Sequence, residues 1–183
     1  TFLSLTGAFS VISYLAPLAM EGAGLPRIAL PGMLLAFGVG AVIGNLSSGY
    51  FADRIGATRV VVLSLIASAT ICVIMALTLK LVSHDMAGPL LMGLMVPWGI
   101  VGWTFPPAQA SRIVGYAPDV AHLTLGLNAS ALYLGIAFGT LLGGRVLEVA
   151  TPADLGLVGA ALPLLALAGL AAPGGRRPAN AAA

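Results

Sequence analysis

The chain has 183 residues, of which 59% are hydrophobic and 8% charged, with a formal net charge of +2 and a mean hydropathy of +1.04. Ordinary soluble domains carry roughly 25% charged residues, and a soluble fold of this size could not hide so much apolar surface. Eight scattered basic residues against six acids likewise exclude the electrostatic footprint of a nucleic-acid binder, which leaves the lipid bilayer as the surrounding partner.

Taken in order, the sequence predicts six membrane spans. The first covers 1–20 and carries Ser10, Ser13, Tyr14 and Pro17; the chain opens at Thr1 without a basic leader, so this stretch reads as the start of a fragment rather than a signal peptide. After a connection at 21–27, the second span covers 30–51 with glycines at 38, 40, 44 and 49. A polar turn follows, Gly49-Tyr50-Phe51-Ala52-Asp53-Arg54-Ile55-Gly56-Ala57-Thr58-Arg59, in which Gly49 and Gly56 supply the backbone freedom and Asp53 an acceptor for helix N–H groups. The third span, 60–79, is almost purely aliphatic and holds the single cysteine, Cys72, as a packed thiol. A connection at 80–87 with His84 and Asp85 leads to the fourth span, 88–109, interrupted by Pro97, Gly99, Gly102, Pro106 and Pro107. A polar link at 111–120, a fifth span at 121–147, a link at 148–154 and a sixth span at 155–172 complete the bundle. Residues 173–183, with Arg176 and Arg177, read as a disordered cytoplasmic tail. The expected fold is therefore an all-α polytopic bundle over 1–172.

Sidedness follows from the basic residues. Arg54, Arg59, Arg112, Arg176 and Arg177 gather on one side, and Arg27, Lys80 and Arg145 on the other. This bias puts the polar turn and both chain ends in the cytoplasm. Two three-span halves must run inverted relative to each other, the logic of inverted-repeat transporters. Their middle spans share small residues four apart, Gly40 and Gly44 in one, Gly135, Gly139 and Gly143 in the other, a spacing that lets helix backbones approach closely.

The polar turn resembles the loop signature G-x-L-A-D-R-x-G-R-K-x of the major facilitator superfamily of secondary transporters. Gly49, Ala52, Asp53, Arg54 and Gly56 match; Phe51 replaces the usual Leu, and Ala57 and Thr58 stand where a basic pair is usual, leaving Arg59 nearby. Gln109 and Arg112, closing the fourth span, resemble a stretch of arabinose-efflux-permease-like and drug-efflux members, as does Leu127-Asn128-x-Ser130. The resemblance implies one half, the C-terminal one, of a twelve-span transporter with a 3+3 inverted repeat. The implied partner is the missing N-terminal six-helix half, or a second copy of this chain.

By that resemblance Asp53 meets the N-terminal end of a neighbouring helix, span five, and a basic residue of the loop, forming a cytoplasmic gate; the plain alternative is a helix cap at a solvated turn. The resemblance also makes Ser10, Tyr14, Trp98 and Trp103 candidates to line a substrate cavity, with lipid-facing packing the alternative for tryptophan. Trp98 and Trp103 are five residues apart and cannot point the same way along a regular helix, so at most one is expected to face the cavity. Asn128 shares a stripe with Gly135 and Gly139, where it either bonds a neighbouring helix or contacts substrate. Arg112 otherwise reads as a basic anchor at the cytoplasmic surface.

No acid falls in mid-span, so a proton-coupling carboxylate is expected outside this chain. His84 and His122 lack partners at ligand spacing, and neither a metal nor another cofactor is expected. No nucleophile–base pattern supports an intramembrane hydrolase or any other catalytic residue. The function expected is proton-coupled efflux of small drug-like compounds across the bacterial inner membrane by alternating access. Sugar or metabolite efflux, or a channel-like or non-transporting subunit, are the alternatives.

Overall fold

A computed structural model describes residues 1–171, so the sixth span's last predicted residue and the tail at 173–183 lie outside the described residues. Every regular element among them is helical: α1 (Phe2–Ile12), α2 (Leu15–Pro17), α3 (Leu30–Ile55), α4 (Ala57–Leu81), α5 (His84–Tyr116), α6 (Ala121–Val149) and α7 (Pro152–Ala171). A π-helical turn, Leu18–Gly22, continues α2, and single 3₁₀ turns precede α3 and α6. Five helices are long and apolar enough to cross a bilayer singly; α1 with the α2 segment makes a sixth, bent by 50°. The chain is an all-α, multi-pass membrane protein.

The helices outrun the predicted spans, and the connections shrink accordingly. At 1.5 Å per residue, the 33 residues of α5 reach about 50 Å, beyond a hydrocarbon core of about 30 Å. The polar residues that looked like loop therefore ride on helical extensions: Asp53 and Arg54 end α3, Lys80 ends α4, and His84 and Asp85 begin α5. The expected eleven-residue turn reduces to Gly56. Its φ of 88° is a conformation that L side chains rarely adopt. Its N–H donates to the Ala52 carbonyl and its own carbonyl accepts from Arg59 and Val60, so one residue closes α3 and opens α4. Gly49, expected to help make the turn, lies inside α3.

The first span breaks where Pro17 removes the N–H that would reach the Ser13 carbonyl and sets its ring against it. Tyr14 leaves helical geometry at φ −116°, ψ 30°, its N–H turning to Val11. Counting α1 with α2 as one span, the contacts obey an inverted repeat. The second helix of each half packs on the first of the other, α3 on α5 and α6 on α1, while the third helices α4 and α7 meet each other. The main core runs between these layers through Leu15, Leu18, Cys72, Met75, Leu91 and Met95.

Candidate functional site

Two glycine seams fix the distance between the helices that border the central groove. On α3, Gly40 and Gly44 lie against the Val96 and Ile100 carbonyls of α5, and Gly99 of α5 lies against the Phe37 carbonyl. A methyl at any of the three would sit 2.1–2.2 Å from the carbonyl oxygen, well inside van der Waals contact. Two hydroxyls stitch the seam further: Ser48 donates to the Thr104 carbonyl at 2.8 Å, and Thr104 to the Gly44 carbonyl at 3.3 Å. On α6, Gly135, Gly139 and Gly143 lie against the Phe2, Thr6 and Ser10 carbonyls of α1 in the same way. Small residues at this spacing allow backbone approach in a medium where burying apolar surface gives no drive of its own.

Between the seams lies an apolar groove of about 280 Å³, lined from four helices. Phe9 and Ile12 come from α1, Phe37 from α3, and Ile136 from α6; α5 gives Trp98, Gly102, Trp103 and Pro106. Trp98 is 1% exposed and tilts against Phe37 with ring centroids 5.1 Å apart, while Trp103 is 38% exposed on the groove wall. Both tryptophans border the groove, which corrects the expectation that at most one would. The groove wraps around α5 widely enough to take side chains about 140° apart, with Gly102 leaving room between them. Pro106 and Pro107 also remove the N–H groups that would have bonded the Gly102 and Trp103 carbonyls, leaving acceptors beside an otherwise apolar lining.

Ser10 and Tyr14 do not line this groove, contrary to expectation. Leu5, Ala8, Phe9 and Ile12 take the groove face of α1, which leaves Thr6, Ser10 and Ser13 on the α6 side. Ser10 is buried in the seam and donates to the Gly7 carbonyl at 2.8 Å. Tyr14 packs over Gly143 and Gly144 and donates to the Thr140 carbonyl at 2.8 Å; Ser13 shares a hydrogen bond with the Thr140 hydroxyl. Asn128 is part-buried and accepts a hydrogen bond from the Thr1 hydroxyl, joining α6 to the start of α1. The aromatic groove residues Phe9 and Phe37 were missed; an apolar stripe at 5, 8, 9 and 12 was the sequence signal for the α1 face.

At the Gly56 corner, Asp53 is exposed and makes no hydrogen bond or ion pair among the described residues. Arg54 stacks over the Tyr50 ring, 4.7 Å from its centroid, and Arg59 is exposed. The expected contact with span five is absent within this chain, because α3 packs on α5 while α6 packs on α1, and the two share no substantial interface. Gln109 and Arg112 do meet, through a 3.4 Å contact from Nη1 to Oε1. At the opposite end of the bundle, Lys80 of α4 pairs with Asp154 of α7 at 2.5 Å, and Asp154 also accepts from the Thr151 hydroxyl at 2.6 Å. Among the described residues no cluster of His, Cys, Asp or Glu could hold a metal ion.

The chain is 28% identical over 167 residues to an uncharacterized MFS-type transporter, YbcL, of Bacillus subtilis, covering 91% of this chain and 41% of that protein. It is 29% identical over 149 residues to a second uncharacterized MFS-type transporter of the same organism, YtbD, covering 81% of this chain and 37% of that protein. This chain thus spans about two fifths of the length of the curated relatives it matches. No protein-family model matches it, and no solved structure does. The similarity covers most of this chain and is to membrane transporters of the MFS type.

Proposed function

We propose that this chain forms one six-helix half of a major-facilitator-type secondary transporter and that its groove is half of a substrate cavity completed by a second six-helix half. The observation that carries the proposal is the groove itself. Helices α1, α3 and α5 bring four large aromatic rings to one concave apolar face, which α6 completes with Leu132 and Ile136, while α4 and α7 pack behind them. A concave, mostly apolar site with few polar groups suits small aromatic or aliphatic compounds. It offers little to a sugar, whose hydroxyls need a dense set of partners.

In this reading the half rocks as a rigid body against its partner, exposing the groove to each side of the membrane in turn. The glycine seams support rigidity, since neither pair of helices can slide without driving a carbonyl into its neighbour. Export of compounds is driven by protons, with the titrating acid in the other half. The Gly56 corner faces the cytoplasm of the bacterial inner membrane, as the basic residues favour. Asp53 sits in the last turn of α3, the end of the helix dipole that disfavours a carboxylate. An unpaired acid there is suited to the N-terminal end of a helix in the partner half, closing a gate.

Cells producing the full-length protein should accumulate less of a lipophilic aromatic dye, and Trp103→Ala should weaken its export about tenfold at equal membrane abundance, the scale of one lost aromatic wall. Counterflow in vesicles separates carrier from pore. Passage that rises linearly with concentration and shows no exchange of labelled for unlabelled compound would remove the transporter reading. Asp53→Asn should slow export while leaving abundance and thermal stability unchanged, because the side chain makes no hydrogen bond or ion pair among the described residues; unaltered export would reduce the corner to a plain connection.

A further inference from the structure

A second pocket, of about 450 Å³, lies between α4, α5 and α7 and shares no lining residue with the aromatic groove. Its walls are apolar, from Val62, Leu167 and Leu170, and its polar groups are Thr58, Arg112 and Tyr116. Arg112 is the unusual member. Its guanidinium stacks on the Tyr116 ring, 5.0 Å from the centroid. Among the described residues its Nε is shielded from solvent with no hydrogen-bond partner, and the guanidinium's one hydrogen bond is the long contact to Gln109. A guanidinium has five N–H donors in a planar fork suited to phosphate or carboxylate.

Among the described residues no acid supplies that anion. Asp154 is engaged by Lys80 and Glu148 by Arg145 at the far end of the bundle. None of the other four acids forms an ion pair with Arg112, and residues 172–183 contain no Asp or Glu. A free anion would satisfy the charge and leave the apolar walls bare. A molecule with an anionic head and hydrocarbon tail satisfies both.

We propose that this pocket binds an anionic phospholipid, with its phosphate on Arg112 and an acyl chain along the Val62, Leu167 and Leu170 wall. The pocket opens at the same end of the bundle as Arg54 and Arg59, so several cations favour negative lipid there. The site needs only a membrane-embedded bundle and is independent of what the aromatic groove carries.

Native mass spectrometry of the full-length protein, presented with dioleoyl phosphatidylglycerol or dioleoyl phosphatidylcholine, tests the assignment without any transport measurement. Wild type should retain phosphatidylglycerol about fivefold better than phosphatidylcholine, the gain from one basic side chain at the surface. Arg112→Gln should bring the two lipids to parity, Arg112→Lys should keep part of the preference, and Leu167→Trp should lower retention by filling the wall. Arg145→Gln, an exposed cation already paired, should change nothing. The proposal is overturned if wild type shows no preference, or if folded, monodisperse Arg112→Gln and Leu167→Trp proteins retain phosphatidylglycerol like wild type. Displacement of the lipid by millimolar inorganic phosphate would also overturn it, as the mark of a simple anion site.

Discussion

The first span and α5 occupy equivalent places in the inverted repeat, yet they respond to proline in opposite ways. The first span contains one proline, Pro17, and bends by 50°. Helix α5 contains Pro89, Pro97, Pro106 and Pro107 and still runs unbroken for 33 residues. Proline number therefore does not decide where a membrane helix breaks; the neighbours do. Against α5, Gly40, Gly44 and Gly99 bring two backbones together, Ser48 and Thr104 add hydrogen bonds, and α4 covers the other side. Beyond Ser10 the backbone of the first span leaves its glycine seam, and the Tyr14 ring covers Gly143 and Gly144 in its place. The bend is held in part by hydroxyl contacts to Thr140.

The largest effect should come from prising open the support of α5. Gly44→Leu drives a branched side chain into the Ile100 carbonyl and should cost about 3 kcal/mol, at the upper end of typical overpacking. Loss of thermal stability in the purified protein measures it. A wild-type melting curve for this variant would mean that the seam does not hold α5 straight. Next, Pro17→Ala restores the donor for the Ser13 carbonyl. If the span straightens, spin labels near its two ends should move apart by about 3 Å, given the 50° bend and 1.5 Å per residue. An unchanged distance would assign the bend to packing rather than to proline. The smallest effect is expected from Tyr14→Phe, which removes one hydrogen bond to Thr140 and should cost about 1 kcal/mol in a chemical or thermal melt.

Much of the architecture was legible in the sequence, because apolar length is the dominant signal for a membrane span. The order and approximate place of all six spans could be read from it, and so could the small-residue spacing at 40/44 and 135/139/143. Element ends could not. Polar residues such as Asp53, Arg54, Lys80 and His84 looked like connections, but a helix longer than the bilayer carries polar residues on its projecting turns. The groove was half legible. Trp98 and Trp103 stood out by type, whereas Phe9 and Phe37 were invisible because their significance depends on which face each helix turns inward. Ser10 and Tyr14 were misplaced for the same reason, since resemblance indicates which helix lines a cavity but not the rotation of that helix. Arg112 had the character of a surface anchor; its unpartnered Nε emerges only once α5 is packed in three dimensions.

The single-residue corner at Gly56 also bears on biogenesis. Helices α3 and α4 together contain 51 residues, 26 and 25, with one residue between them. Such a pair has little slack between its helices, which suits entry into the bilayer as a hairpin with Gly56 as its tip and Arg54 and Arg59 as charges flanking that tip. Lengthening the tip would therefore register first as a change in insertion efficiency, before any change in what the assembled protein does.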